Sequence, residues 1–318
     1  MLAESIESIS SSSGRSHKSD SFRQENKVNG VLKRESGSVN NKKGFTLIEL
    51  LVVISIIALL LSILMPALNI AKKKASAVVC MVNTKNLSLG WFMYQEDNNG
   101  RIMSALMNGQ EKAGGPIVGW IGTPRDEAGF YSDIAGATPV TDEDEIRGIE
   151  KGAMYPYVKD PDVYSCVGDK VKSIYDGTEK LVTYAIPRCL YGFPNEPDNN
   201  SQIKKYSEIR MPAQRYAFVE TAEARNFIAG GSFVMAAPEY TGRDEWGWWG
   251  PMAINHAGNS ILGFCDGHAE SHKWRDSFTK DRLENLMNGG GYGQQNPPDG
   301  QTADLEYMAR GWPYRYSK

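Results

Sequence analysis

The stretch from Phe45 to Leu64 runs for twenty residues with a single charged side chain, Glu49. A helix rises about 1.5 Å per residue, so this stretch is roughly 30 Å long, the hydrocarbon thickness of a bilayer. It can cross a membrane. An ionised carboxylate in such a span costs on the order of 3 kcal/mol, and an acid placed there generally has a partner and a task. No lysine or arginine lies inside the span to be that partner. A new α-amino group could serve if the chain were cut between Gly44 and Phe45, because Glu49 would then sit five residues into the cut chain. That places it close in axial position to the N-terminus of a neighbouring copy.

The residues Lys42-Lys43-Gly44-Phe45-Thr46-Leu47-Ile48-Glu49, with the apolar run behind them, resemble the processing site of type IV prepilins and type II secretion pseudopilins. The resemblance implies cleavage by a prepilin peptidase after Gly44, N-methylation of Phe45, and a role for Glu49 in assembly with other pilin or pseudopilin subunits. Pro66 falls at position 22 of the cut chain, where this family often has a helix-kinking proline. A plain signal anchor with an incidental glutamate is the rival reading, and it leaves the placement of the acid unexplained.

Charge supports an exported head. Residues 1–43 hold eight basic and five acidic side chains, so with a whole-chain charge of −3 the remainder carries −6. A basic flank before a span and an acidic domain after it keep the N-terminus in the cytoplasm and send the rest outward. The expected location is the inner membrane, single-pass, with a periplasmic head or an extracellular filament. Lys72, Lys73 and Lys74 fall on the outward side and weaken this asymmetry. An acidic head argues against nucleic acid as a main partner, since phosphate neutralisation needs clustered Lys and Arg. Residues 1–44 read as a polar, disordered leader, longer than the family pattern and removed on processing.

After Pro66, the residues Ala67, Leu68, Ala71, Ala75, Val78, Val79, Val82, Leu89, Phe92 and Met93 recur at spacings of three and four, which predicts that an amphipathic helix continues over 66–97. Pro66 removes a backbone hydrogen bond and should kink it. From residue 98 to 318 the runs 181–186, 216–220, 232–237, 260–265 and 268–274 read as strands. Asp266-Gly267 between the last two predicts a two-residue type I′ hairpin. A short helix is expected near 276–287 and an irregular tail from 289. The expected fold is α+β: a long kinked N-terminal α-helix, transmembrane in its first half, packed on an antiparallel β-sheet head, as in pilins.

Cys80, Cys166, Cys189 and Cys265 all follow the span, and four cysteines in an exported domain favour disulfides. Three connectivities are open. Cys80 with Cys166 would tie the long helix to the first folded segment behind it, leaving Cys189 with Cys265; four buried thiols are the alternative. Two further segments resemble a branch of pilin-like proteins that leans toward the type II secretion side: Cys80 to Leu87 leading to Tyr94 to Gly100, and a C-terminal signature of His256, nine residues, then Asp266-Gly267.

Little else suggests chemistry. His256, Asp266, His268 and His272 invite a zinc reading, but four residues of strand span about 13 Å, too far for His268 and His272 to share one ion. His256 reads more simply as a hydrogen bond to loop backbone and Asp266 as a turn residue. Resemblance to major pseudopilins raises calcium, for which Asp142-Glu143-Asp144-Glu145 and Asp97-Asn98-Asn99 offer oxygens without the spacing of an EF-hand. Solvated acidic turns are the simpler reading, and no cofactor is expected. Trp246, Trp248, Trp249, Tyr292, Trp312, Tyr314 and Tyr316 could bind sugars or proteins but read better as packing. No nucleophile elbow, phosphate loop or catalytic carboxylate pair is present, so the expected role is structural rather than enzymatic. A membrane-anchored periplasmic domain that binds carbohydrate or protein without polymerising is the alternative.

Overall fold

The computed structural model describes residues 44–106, 119–129, 140–172, 180–191, 202–222, 231–238, 245–250, 252–290 and 293–313. Residues 1–43 of the expected leader, and Tyr292, Tyr314 and Tyr316, lie outside them. The chain divides into two compact units, Met1–Ser55 and Ile56–Lys318.

Helix α1 runs from Leu47 to Asp97. Its start is fixed locally by a capping box: the Thr46 N–H and hydroxyl both donate to Glu49 Oε2 at 2.8 Å, and the Glu49 N–H donates to Thr46 Oγ1 at 3.3 Å. Pro66 lies inside the helix without ending it. Leu47 to Leu64 present their apolar side chains outward all around, and among the described residues α1 is the helix long and apolar enough to cross a membrane. The hydroxyls of Ser55 and Ser62 donate to the carbonyls of Val52 and Leu59, so the span offers no unpaired hydroxyl to lipid. The helix ends through two left-handed residues, Asn99 and Gly100, with the Gly100 N–H closing on the Gln95 carbonyl.

In the second unit, the buried face of α1 is Cys80, Asn83, Thr84, Leu87, Ser88, Gly90, Trp91 and Gln95. This corrects the expected stripe: Leu68, Val78, Val79, Val82, Leu89 and Met93 are exposed. The reason is steric. Small side chains let the helix approach the sheet closely, and a Cβ on Gly263 would stand 2.8 Å from Thr84 Cγ2.

The head is built on a five-stranded sheet in the order β3-β1-β2-β6-β7, with β1 Tyr184–Pro187, β2 Tyr216–Glu220, β3 Ser232–Phe233, β6 Asn259–Phe264 and β7 Ala269–Lys273. All neighbours pair antiparallel except β1 and β3, which are parallel. The expected strand over 232–237 is instead split. Its second half, β4 Met235–Ala236, pairs with β5 Gly247–Trp248 in a separate ribbon.

The hairpin between β6 and β7 is present with a different turn. Gly263 pairs with Ala269, the Gly267 N–H donates to the Phe264 carbonyl, and of the loop residues only Gly267 has positive φ, at +93°. That is a three-residue loop closed by a left-handed glycine, not type I′, which needs positive φ at both central residues.

Three shorter helices complete the described head: α2 Asp142–Glu150, α3 Ser277–Met287 and α4 Ala303–Gly311. The tail expected to be irregular therefore contains α4. Trp91, Trp120, Trp248, Trp274 and Trp312 are fully buried. Trp120 stacks on Tyr164 and meets Phe218 edge-on, and Trp312 packs on Phe233, so these aromatics are core.

Candidate functional site

Two places gather the residues singled out by the sequence. The first is the N-terminal segment. Gly44, Phe45 and Thr46 precede the helix, and Phe45 is 70% exposed. Nothing lies within 4 Å of where a Gly44 Cβ would be. The Gly44–Phe45 bond is thus non-helical and accessible, and its hydrolysis would create an amine on the residue next to the capping box. Glu49 already has donors within its own chain, both from Thr46.

The second place is buried, and four elements build it. Cys80 projects from α1 one turn beyond Ser76, so the two share a face. Cys166 follows the single-turn helix Pro161–Tyr164, its N–H held by Thr183 Oγ1 at 2.6 Å. Glu220 closes β2. His256 sits in the tight turn entering β6, where Ala257 and Gly258 have positive φ. The four ligand-bearing atoms lie within 4.8 Å of one another, and all four residues are buried. Cys80 Sγ and Cys166 Sγ are 3.0 Å apart, Cys166 Sγ is 3.3 Å from His256 Nε2, and the same nitrogen is 2.8 Å from Glu220 Oε1.

The two sulfurs differ: Cys80, burial and Glu220 push the Cys166 thiol far above its usual value, against two donors that point at it. The Gly168 N–H points at Cys166 Sγ at 3.3 Å and Asn255 Nδ2 at 3.6 Å. The Cys80 thiol is pulled down to about 4, with Cys166 as the main cause and His256 and Tyr184 adding to it against burial. Burial disfavours a charged His256, but Cys80 and Glu220 outweigh it and lift the imidazole to about 10. Burial also raises the Glu220 carboxyl, and His256 and the Ile261 N–H pull back only part of that.

Cys80 and Cys166 are therefore brought together as expected, with their sulfurs 3.0 Å apart and no disulfide between them in this structure. The Cys265 thiol faces the Tyr216 carbonyl, and Cys189 is buried. His256 does not bind loop backbone through its ring as expected, because β2 places Glu220 against it. His268 pairs with Asp266, while His272 stacks on Tyr307 and lies 3.9 Å from Asp304, so the two histidines do not converge.

The acidic segment expected as a turn opens α2. Asp144 forms a capping box with Thr141 and pairs with Arg147, and Glu145 accepts the Leu181 N–H. Glu220 was missed by the sequence reading, although one carboxylate ending an apolar Tyr-Ala-Phe-Val run was a readable signal.

The comparison with family models falls on the first place. The family described as the prokaryotic N-terminal methylation motif matches residues 39–65. Over that segment the chain is type IV pilin-like. The type IV wide pilus major component PilA4 of Thermus thermophilus is 48% identical over 61 residues, 19% of this chain and 47% of that protein. The chain thus spans about half the length of the curated relative it matches. No solved structure matches.

Proposed function

We propose that the chain is a structural subunit of a filament of the type IV pilus and type II secretion class, held in the inner membrane by α1 until assembly. A prepilin peptidase cuts after Gly44, the new Phe45 amine is methylated, and the apolar half of α1 moves from lipid into a bundle of its own kind. The carrying observation is the methylation motif on the exposed apolar half of α1: Leu47 to Leu64 need lipid or other subunits to cover them. The apolar row Val78, Val79, Val82, Leu89 and Met93 extends the surface that packed subunits would cover. Likeness to a wide-pilus component favours a pilus over a secretion pseudopilus.

The test is mass spectrometry of the mature protein together with cross-linking of neighbouring α1 helices. The expected result is a chain beginning at methylated Phe45, with cross-links between copies. A chain that keeps residues 1–44 while filaments form would overturn the processing step. A processed chain that never cross-links would favour the anchored binding domain.

A further inference from the structure

We propose that Cys80, Cys166, His256 and Glu220 form a structural zinc site that locks α1 onto the sheet. The inference is independent of filament formation. Zinc takes Cys sulfur at about 2.3 Å, and His nitrogen and carboxylate oxygen at about 2.0–2.2 Å, so the edges of a tetrahedron of such ligands are roughly 3.3–3.8 Å. The four donor atoms here already lie within 4.8 Å of one another. Closed sites with four protein ligands and no open position are the structural kind.

The hydrogen-bond bookkeeping around His256 points the same way. The Ser76 hydroxyl donates to the Lys73 carbonyl at 2.9 Å, so toward His256 Nδ1, 3.3 Å away, it is free to accept. Nδ1 then carries a proton, so a metal can reach the ring only through Nε2, which gives up its own proton on binding. Nε2 faces the Glu220 carboxylate and the Cys166 sulfur, both of which can also donate to a cation. A cation at their common centre satisfies all of them at once. In the bound centre both sulfurs are thiolates, Glu220 a carboxylate and the ring neutral, so with Zn2+ it carries one net negative charge, the displaced protons passing to solvent.

Groups around the ligands are those that orient and neutralise such a centre. Ser76 fixes the His256 tautomer. The Ile261 N–H holds Glu220 Oε2 at 2.9 Å, leaving Oε1 for the metal. Gly168 and Asn255 donate to Cys166 Sγ. The ligands come from helix, loop, strand and turn, so one ion would bind together segments far apart in sequence.

The test uses the full chain purified in detergent without chelator. Elemental analysis should find one zinc per chain, and cobalt exchanged into the site should show thiolate charge-transfer absorption with the visible bands of a tetrahedral ion. His256→Ala and Cys166→Ser should lower zinc affinity at least a hundredfold, and Ser76→Ala about tenfold. His268→Ala should change nothing. If the ligand variants do not fold, the metal content and cobalt spectrum of the unaltered chain decide. A metal-free folded chain with both thiols free, a Cys80–Cys166 disulfide in its place, or a cobalt spectrum without thiolate absorption would each overturn the assignment.

Discussion

At the scale of the residue, Glu49 has two separable properties. Its oxygen closes the capping box at the head of α1, and its charge is available to pair with a subunit amine. Glu49→Gln keeps the acceptor and removes the charge, whereas Glu49→Ala removes both. If charge drives assembly, both variants should lose filaments while processing continues, with Ala also weakening the cap by about 1 kcal/mol. Filament yield and mature mass read the two effects apart, and normal filaments from the Gln variant would remove the charge from the mechanism. Gly263 is a second decisive residue. A methyl there has no room against Thr84, so Gly263→Ala should cost about 1–3 kcal/mol in thermal or denaturant unfolding of the head. An unchanged midpoint would show that α1 shifts freely on the sheet.

At the scale of the element, the joint between α3 and α4 is set by two aspartates, each accepting backbone N–H groups at the start of the other's segment. Asp304 accepts the N–H groups of Arg275 and Asp276, and Asp276 accepts the Asp304 N–H at 2.9 Å. Burial alone would raise the Asp304 carboxyl, but nearby His272 and the two backbone donors outweigh it and hold it below its usual 3.8. A depressed carboxylate contributes stability that is present above the unfolded value and lost as pH falls through the folded one. Docking of α4 should therefore weaken only below about pH 4. Asp304→Asn should remove that acid transition and cost about 1–3 kcal/mol near neutrality, because buried N–H groups lose a charged acceptor. Chemical denaturation at a series of pH values measures both.

These elements differ in how readable they were. The hairpin β6–β7 announced itself through apolar runs around Asp266-Gly267, yet whether the loop held two residues or three depended on pairing between the strands. The α4 segment hid because its cap partner, Asp276, is 28 residues away. The face of α1 that packs was misjudged for a related reason. Hydrophobicity marked Val78, Val82 and Leu89, but fit against Gly263 selected Thr84 and Ser88.

At the scale of the whole molecule, the exposed apolar half of α1 rules its behaviour before any partner is present. The chain should fractionate with membranes and leave them only with detergent. Ile57→Arg should cost about 3 kcal/mol of insertion and shift the chain out of the membrane fraction. Full membrane retention of that variant would mean that something other than the span holds it there.

What the sequence determined by itself was local or periodic: the span, the Gly44–Phe45 junction, the acid five residues in, and the strands that flank the hairpin. Those features depend on neighbours a few residues apart, so order along the chain suffices. Only the tertiary structure decided that Cys80, Cys166, Glu220 and His256 meet at one buried point, since 176 positions separate the first from the last. Such a meeting arises from how strand order and helix approach fold distant segments together, and no spacing along the chain encodes it.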